Sequence, residues 1–299
     1  MGCDLALAKE GVVDRVIEED EGGPFHPSPT RGSDLKSSLR SEHDSSNGIG
    51  VFTGDATPVT ADVFGRALWE WTRGGLAPEV LEREDGFLQS GAGPEVYLSE
   101  FRGWPAAERR TIRSLRGRVL DVGCGAGRVS LELQRRGIEV VGLDASPLAV
   151  RAARFRGVRE VWCAKLEDLE SRIDTFDSIV MFGNNFGILG TPDHARQCLI
   201  DLARFAMPDA RIFTESTNAY GGGAPGFNRS YYRQNKMRGV APGQIRLRFR
   251  FGSLIGPWFD WLYVSPKQMR LLLRGTGWHQ ARVIGTRLGE PYVAVLEKD

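Results

Sequence analysis

The 299-residue sequence contains no long apolar run, few cysteines and almost no net charge. A helix that crosses a membrane needs about 18 consecutive apolar residues, so the sequence predicts no transmembrane segment. The 39 basic residues nearly balance the 38 acidic ones, giving a formal charge of +1, whereas a protein that holds nucleic acid by its phosphates should be more basic. We therefore expect neither a membrane nor nucleic acid among its partners.

The four cysteines are scattered, at positions 3, 124, 163 and 198, and none suggests a C-x-x-C pair or the cysteine and histidine spacing of a zinc site. The sequence therefore predicts no disulfide framework and no metal site. A chain of this length can bury a core without such staples. These features together lead us to expect a reduced, cytoplasmic compartment.

Three regions of the chain differ in composition. Residues 1–55 are poor in apolar residues, and we expect a mobile leader there. Residues 56–116 carry apolar residues at helical spacing, which predicts an N-terminal helical cap. Residues 117–299 should form the main, ligand-binding domain, with an insertion at about 216–264.

Apolar periodicity predicts the individual elements. Helices are expected at residues 60–74, with Thr60 as N-cap, at 105–115 and at 266–275. Strands are expected at residues 118–122, 139–143, 161–164, 176–182, 211–215, 245–251, 258–264, 279–286 and 292–296. Short β-rich runs that alternate with helical patterns predict βαβ units and a parallel sheet. The predicted fold class is therefore α/β, a seven-stranded sheet with an added β-hairpin and N-terminal helices.

The sharpest motif is V-L-D-V-G-C-G-A-G at residues 119–127, in which a strand runs into a glycine loop that opens a helix. Glycines allow a tight turn and a close approach of the backbone to a ligand, while Cys124 should only fill the loop. Dinucleotide-binding loops have the spacing G-x-G-x-x-G, whereas here it is G-x-G-x-G. Asp121 would also repel a pyrophosphate, by roughly 4 kcal/mol at about 4 Å and an effective dielectric constant of about 20. A cationic nucleoside such as S-adenosylmethionine suits this loop better.

A second acid, Asp144, ends the apolar strand V-V-G-L-D at residues 140–144. A carboxylate at the tip of the second strand can accept hydrogen bonds from both ribose hydroxyls of an adenosine. Ser146 and Pro147 supply an N-cap and a first helical residue, so a helix should start there. The acid and the glycine loop should therefore face the same crevice.

With these two motifs the chain resembles a class I S-adenosylmethionine-dependent methyltransferase of the bacterial small-molecule type, over about residues 95–299. The resemblance implies a Rossmann-like sheet of order 3-2-1-4-5-7-6, with strand 7 antiparallel, and S-adenosylmethionine as cofactor. Where such enzymes often carry an acid for the adenine amino group, this chain has Lys165, so adenine would rely on Leu166 and Glu167. Tyr97 lies before the first core helix and would either cover the cofactor as a lid or pack against its neighbours. The cofactor contacts expected from these considerations are Asp121, Gly123, Gly125, Gly127, Asp144, Ala145, Leu166, Glu167 and Tyr97.

Three residues are candidates for catalysis. Asn184 and Asn185 follow the fourth strand, at the sheet edge where open α/β sheets bind ligands, and would contact the methionine end of the cofactor or the acceptor. Asp260 lies among aromatic residues and could hold an amine or act as a base. The segment after the fourth strand lacks the D/N-P-P-Y/F signature of enzymes that methylate DNA bases at an amino group.

Three arginines and two histidines are further candidates for substrate recognition or catalysis. Arg246, Arg248 and Arg250 alternate along one strand, so their guanidinium groups either meet solvent or recognise an acidic substrate. His194 and His279 are weaker catalytic candidates.

Methyl transfer from a sulfonium is an in-line displacement that depends mainly on orientation, so no metal is required. We expect a methyltransferase that acts on a small molecule in specialised metabolism and that could form a homodimer. The nearest enzymatic alternative is a peptide or protein methyltransferase. A non-catalytic S-adenosylmethionine-binding module also retains the loop, and a nicotinamide-dependent oxidoreductase is opposed by Asp121 and the glycine spacing.

Overall fold

The structure is a computed structural model that describes residues 61–169, 175–218, 229–285 and 290–299. All of these belong to one unit, which begins at Ile49. The leader expected at residues 1–55 lies outside the described residues. Within them, no helix has the length and apolar content to cross a bilayer.

The described elements follow the predicted order closely. The helices are α1 (Val63–Thr72), α2 (Pro94–Tyr97), α3 (Ala106–Thr111), α4 (Arg128–Arg135), α5 (Pro147–Phe155), α6 (Pro192–Leu202), α7 (Arg229–Met237) and α8 (Pro266–Leu272). The strands are β1 (Val80–Arg83), β2 (Leu88–Ser90), β3 (Val119–Val122), β4 (Val140–Asp144), β5 (Val161–Cys163), β6 (Phe176–Met181), β7 (Ala206–Thr217), β8 (Gln244–Phe251), β9 (Leu254–Ile255), β10 (Phe259–Leu262), β11 (Trp278–Ile284) and β12 (Pro291–Lys298). Short 3-10 turns lie at Phe101–Gly103, Ile112–Ser114, Leu166–Asp168 and Asn185–Leu189.

The main sheet has seven strands in the order β11-β12-β7-β6-β3-β4-β5. Strands β3 to β7 pair in parallel, and β12 runs antiparallel to both β7 and β11. Numbered by their own sequence, the strands follow the order 3-2-1-4-5-7-6 that the resemblance implies. Strands β3 and β6 are almost wholly buried, as expected for parallel strands covered by helices on both faces. The α/β prediction is therefore confirmed.

A second, antiparallel sheet has the order β10-β8-β1-β2, with β9 paired to β8. Strands β8 and β10 are the predicted hairpin. Strands β1 and β2 lie within residues 56–116, where an N-terminal helical cap is expected, so that region contains strands as well as helices. Four residues of β1 pair with β8, from Val80 opposite Arg250 to Arg83 opposite Leu247. A strand this short depends on its distant partner, which is why local periodicity did not reveal it.

Helix α1 is attached to the main domain through Asp62, which replaces the predicted Thr60 as N-cap. One carboxylate oxygen of Asp62 accepts a hydrogen bond from the Gly65 amide at 2.9 Å. The other oxygen accepts from the Ser146 hydroxyl at 2.7 Å and from the Leu148 amide at 3.0 Å, at the start of α5. Gly65 is needed here because a Cβ at this position would lie 2.1 Å from the Ser146 Oγ. Asp62 therefore joins the amino ends of two helices.

We predict that Asp62→Ala lowers the free energy of unfolding by about 3 kcal/mol. The change removes a helix cap, worth about 1 kcal/mol, together with two hydrogen bonds to a buried carboxylate. Urea denaturation at pH 7 measures the loss. Glu100→Ala is the matched control, because Glu100 also stands at a helix N-cap but makes no capping hydrogen bond there. Equal stability of the two variants would show that Asp62 does not hold α1.

Candidate cofactor and acceptor site

The glycine loop folds back over the end of β4. Gly123, Gly125 and Gly127 all have positive φ, at 70°, 56° and 79°, a conformation that favours glycine. The amides of Gly123 and Cys124 donate to the Leu143 carbonyl at 2.8 and 3.0 Å. Cys124 is buried against Gly142, and burial raises the pKa of its thiol well above the usual value. The contacts fit the expected loop-filling role of Cys124.

Asp144 links the glycine loop to the start of α5. Its carboxylate accepts hydrogen bonds from the Gly125 amide at 2.8 Å and from the Ser146 amide at 2.9 Å. Each oxygen has a second lone pair that remains available for a ligand hydroxyl. Burial raises the pKa of Asp144 to about 6, and the nearby charge of Asp62 adds to this effect.

Asp121 lies beneath the same loop and is 2% exposed. One of its carboxylate oxygens accepts a hydrogen bond from the Ser130 hydroxyl at 2.6 Å. Burial raises the pKa of Asp121 to about 6, and the charge of Asp144 contributes in the same direction. The loop is therefore flanked by two carboxyl groups that a cationic ligand would stabilise in their charged form.

The two predicted asparagines hold the site in place. Asn184 adopts a left-handed conformation, with φ 61°, and its side-chain oxygen accepts a hydrogen bond from the Thr217 hydroxyl at 2.6 Å. The Asn185 side chain donates to the carbonyls of Val122 and Gly123 at 3.0 and 2.8 Å. Both side chains thus bind the protein, and Asn185 fixes the glycine loop. These contacts fit positioning residues, and direct catalysis by either asparagine stays a prediction.

The remaining cofactor candidates surround the same edge of the sheet. Ala145 is half-buried between Asp144 and Ser146, while Leu166 is buried and Glu167 exposed in the turn after β5. Tyr97 stacks on Trp71 with ring centroids 5.7 Å apart. Tyr97 therefore packs against a neighbouring ring, which is one of the two alternatives given above. A role of Tyr97 as a lid over the cofactor stays a prediction.

A buried charge cluster lies beside the loop, and none of the sequence motifs predicted it. Arg128, at the start of α4, donates to both carboxylate oxygens of Glu108 at 2.7 and 2.9 Å and lies 4.5 Å above the Trp104 ring. Glu215 of β7 lies next to Glu108, and the Gly183 amide donates to both carboxyl groups. Burial and the charge of Glu108 raise the pKa of Glu215 well above its usual value. Burial alone would also raise the pKa of Glu108, but hydrogen bonds from Arg128 hold it lower.

Aromatic rings of the second sheet face the site from the other side. The Phe249 ring stacks between Phe64 of α1, at 4.6 Å, and Phe259, at 5.2 Å. The Trp261 ring lies on Gly187, where a Cβ would come within 2.1 Å of it. This aromatic face, defined by Phe64, Phe249, Phe259 and Trp261, therefore reaches from α1 to the Asn185–Leu189 turn. Helix α1 and that turn both contact the glycine loop, through Leu68 near Gly125 and Asn185 near Gly123.

Comparison with known proteins identifies this arrangement. A family model described as a methyltransferase domain matches residues 119–209. An S-adenosylmethionine-dependent methyltransferase from Bacteroides fragilis, solved in complex with S-adenosyl-L-homocysteine, is 25% identical with a TM-score of 0.68, covering 81% of this chain and 97% of that one. Residues 119–209 match a methyltransferase domain, and the chain as a whole is similar to a class I S-adenosylmethionine-dependent methyltransferase. The predicted family, fold and cofactor class are thereby confirmed.

Curated relatives of the methyltransferase match shorter stretches. The ubiquinone biosynthesis O-methyltransferase of Hahella chejuensis is 33% identical over 107 residues, which cover 34% of this chain and 43% of that protein. The cypemycin N-terminal methyltransferase of Streptomyces is 29% identical over 144 residues, covering 48% of this chain and 55% of that protein. The chain thus spans only about half the length of the curated relatives it matches.

The arginine strand of the methyltransferase pairs with acids of its own sheet. Arg248 and Arg250 both donate to Glu82 on β1, and these hydrogen bonds lower the pKa of Glu82 to about 2. Arg246 lies 3.6 Å from Asp260 on β10. These ion pairs neutralise much of the positive charge, so they disfavour recognition of an acidic substrate by this strand.

The backbone and Cβ of Asp260 lie against Gly190, which directly follows the Asn185–Leu189 turn, whereas its carboxylate pairs with Arg246. Side chains alternate along a strand, which places Asp260 on the arginine face and its neighbours Phe259 and Trp261 on the aromatic face. A base or amine-binding role for Asp260 stays a prediction, which its pairing with Arg246 weakens. His279 forms an exposed pair with Asp299 at 3.0 Å on β11, whereas the His194 ring contacts the Leu189 carbonyl at 2.9 Å.

We predict that replacing a buried glutamate by glutamine has a small effect on the free energy of unfolding at position 215 and a large one at position 108. Burial and the charge of Glu108 raise the pKa of Glu215 well above its usual value, so Glu215→Gln, which resembles the protonated side chain, should alter the free energy of unfolding by less than about 1 kcal/mol. Glu108→Gln removes the charge that faces Arg128 and should cost about 3–5 kcal/mol, because a buried guanidinium loses its counter-ion. Urea denaturation at pH 7 compares the two variants. Equal losses would contradict this assignment of charge.

Proposed function

We propose that this methyltransferase binds S-adenosylmethionine at the glycine loop and transfers its methyl group to a small, largely apolar aromatic molecule. The observation that supports the donor is the pair of acids beside the loop, the buried Asp121 and the half-buried Asp144. A donor that carries an ammonium and a sulfonium group is attracted by both carboxylates. The structural relative from Bacteroides fragilis, in complex with S-adenosyl-L-homocysteine, supports the same assignment.

Residues of this chain supply the parts of a nucleoside site. The free lone pairs of the Asp144 carboxylate would accept hydrogen bonds from the ribose hydroxyls, beside Ala145. Adenine would lie against the turn at Leu166–Asp168, because the first N–H groups of a helical turn have no acceptor within the turn. The methionine end would lie near Gly123, above Asp121. Bound there, the cofactor supplies an electrophilic methyl group.

The acceptor is proposed to lie against the aromatic face. The rings of Phe64, Phe259 and Trp261 are each partly exposed, and around Phe249 they offer apolar surface that suits contact with an aromatic molecule. The paired arginines of β8 point to the opposite face of that sheet, away from these rings. The likeness to ubiquinone biosynthesis O-methyltransferases supports a small-molecule acceptor.

The second candidate acceptor is a peptide amino terminus. The likeness to the cypemycin N-terminal methyltransferase covers more of this chain than the likeness to the Hahella enzyme does. A peptide would need to enter between α1 and the second sheet.

Orientation is the main catalytic contribution that we propose. The acceptor atom forms a bond to the methyl carbon while the carbon–sulfur bond breaks and its electron pair stays on sulfur, leaving a neutral thioether. Holding both reactants in line supplies about 7–11 kcal/mol. Asn185 and Asp144 contribute by fixing the loop that carries the donor. An amine acceptor must arrive unprotonated, whereas a weakly acidic hydroxyl would also need a base.

We predict that Asp144→Ala weakens binding of S-adenosyl-L-homocysteine at least about 100-fold, because two hydrogen bonds to a charged group are lost. Isothermal titration calorimetry measures the affinity. Asp177→Ala is the matched control, since Asp177 also accepts a backbone hydrogen bond, from Arg118 at 2.8 Å, but at the amino end of β6. Unchanged affinity in folded Asp144→Ala would refute the ribose assignment.

We predict that the affinity for S-adenosyl-L-homocysteine, measured in the same titration, depends on pH, because the Asp144 carboxyl changes its charge. Its pKa is about 6, so the carboxyl is ionised at pH 7.5 and mostly protonated at pH 5. Protonation weakens it as an acceptor, and affinity should therefore fall as the pH decreases through about 6. Asp144→Asn, which cannot ionise, should show a flatter profile.

We predict that labelled methyl groups from S-adenosylmethionine pass to small phenols or aromatic amines rather than to short peptides. The assay offers both acceptor sets to the purified protein and separates the products by mass, with Asp144→Ala as the blank. Label in peptides alone would support the second candidate. Binding of the cofactor without transfer to any acceptor would support a non-catalytic binding module.

A further inference from the structure

We propose that Glu167, His194 and Cys198 form a binding site for a divalent transition metal of the zinc class. The His194 Nε2 lies 3.6 Å from the Cys198 Sγ and 3.9 Å from a Glu167 carboxylate oxygen. One ligand atom from each residue lies within 4.8 Å of the other two. Metal–ligand bonds of about 2.0–2.3 Å in a tetrahedral site place ligand atoms about 3.3–3.8 Å apart. Small side-chain movements would therefore close this site around an ion.

The local sequence explains why two of the ligands share a face. Thr191 caps α6 and Pro192 begins it, so His194 and Cys198 are separated by about one helical turn. Glu167 comes from a different element, the turn at Leu166–Asp168 that follows β5. Because the sequence separates Glu167 from α6, the pattern of cysteines and histidines alone predicted no metal site. The fold brings the three side chains together, and the proposed site departs from that expectation.

The orientation of His194 favours metal binding. Its Nδ1 lies 2.9 Å from the Leu189 carbonyl oxygen, which can only accept a hydrogen bond. Nδ1 must therefore carry the proton, and the lone pair of the neutral ring lies on Nε2, which faces Glu167 and Cys198. A carbonyl that fixes the tautomer in this way is the usual outer partner of a histidine bound to a metal.

The donor set selects the class of ion. A thiol, an imidazole and a carboxylate suit Zn²⁺ or Co²⁺, whereas Mg²⁺ and Ca²⁺ prefer oxygen ligands throughout. Cys198 is 2% exposed, but the side chains of Glu167 and His194 are each 45% exposed, so an ion can enter from solvent. Three protein ligands leave a fourth position for water. The nearby acid Asp201 is tied to Gln197 and Arg204 on the same helix.

The probe is Co²⁺, which reports a thiolate ligand by charge-transfer absorption. Untagged, chelator-treated full-length protein is titrated with Co²⁺ and then with Zn²⁺. We expect one equivalent of Co²⁺ to bind at micromolar concentration or below, with a thiolate band that Zn²⁺ abolishes. Absence of the band at millimolar Co²⁺ would overturn the proposal. No cofactor is present, so the result does not depend on the proposed function.

Variants assign the ligands. Cys198→Ser should abolish the thiolate band, while His194→Gln and Glu167→Gln should each weaken Co²⁺ binding at least tenfold. Cys163→Ser and His279→Gln are matched controls with residues of the same type elsewhere, and both should bind as the unchanged protein does. If buried Cys198→Ser fails to fold, the two exposed variants decide the matter. Loss of the band in Cys163→Ser, or full binding in both His194→Gln and Glu167→Gln, would overturn the assignment.

Discussion

The paired hydrogen bonds that Asp144 accepts are the interaction on which the rest of the site depends. One comes from the glycine loop and the other from the start of α5, so a single carboxylate sets the distance between them. Ser146, which supplies the second bond, also donates from its hydroxyl to Asp62. A continuous path of hydrogen bonds therefore runs from the glycine loop through Asp144 and Ser146 to α1. Burial disfavours the charged form of a carboxyl group, and it therefore raises the pKa of Asp144 within this path.

The second sheet divides its two faces between charge and aromatic rings. Its acids and arginines neutralise each other on one face, through Glu82 with Arg248 and Arg250 and through Asp260 with Arg246. Pairing on that face leaves the opposite face free for stacked rings, since side chains alternate strictly along β8 and β10. The ion pairs are compatible with the strand register that places Phe249 against α1 and Trp261 against the Asn185–Leu189 turn. The sheet thus carries its ion pairs on one face and its aromatic rings on the opposite face.

Sequence reasoning predicted the backbone geometry where the signal is local. The glycine loop, Asp121, Asp144 and the alternating strands lie in contiguous motifs whose spacing dictates backbone geometry. It failed where partners are remote. Asp62 meets Ser146 across 84 positions, and Glu82 meets Arg248 across 166. Periodicity along the sequence does not indicate such pairings, because they depend on how helices and strands pack after they have formed. The hairpin of β1 and β2 was missed for the same reason.

Rigidity of the glycine loop connects the structure to the proposed chemistry. The Leu143 carbonyl and the Asp144 carboxylate hold its amides, while Asn185 holds its carbonyls from the opposite side. A loop fixed on several sides loses little further freedom when a ligand binds, so binding energy is available for aligning donor with acceptor. An in-line displacement with a neutral leaving group needs that alignment more than it needs an acid or a base. In the proposed reaction, the carboxyl groups around this loop therefore act on the donor by charge and by geometry, and no acid or base is asked to take part in the displacement.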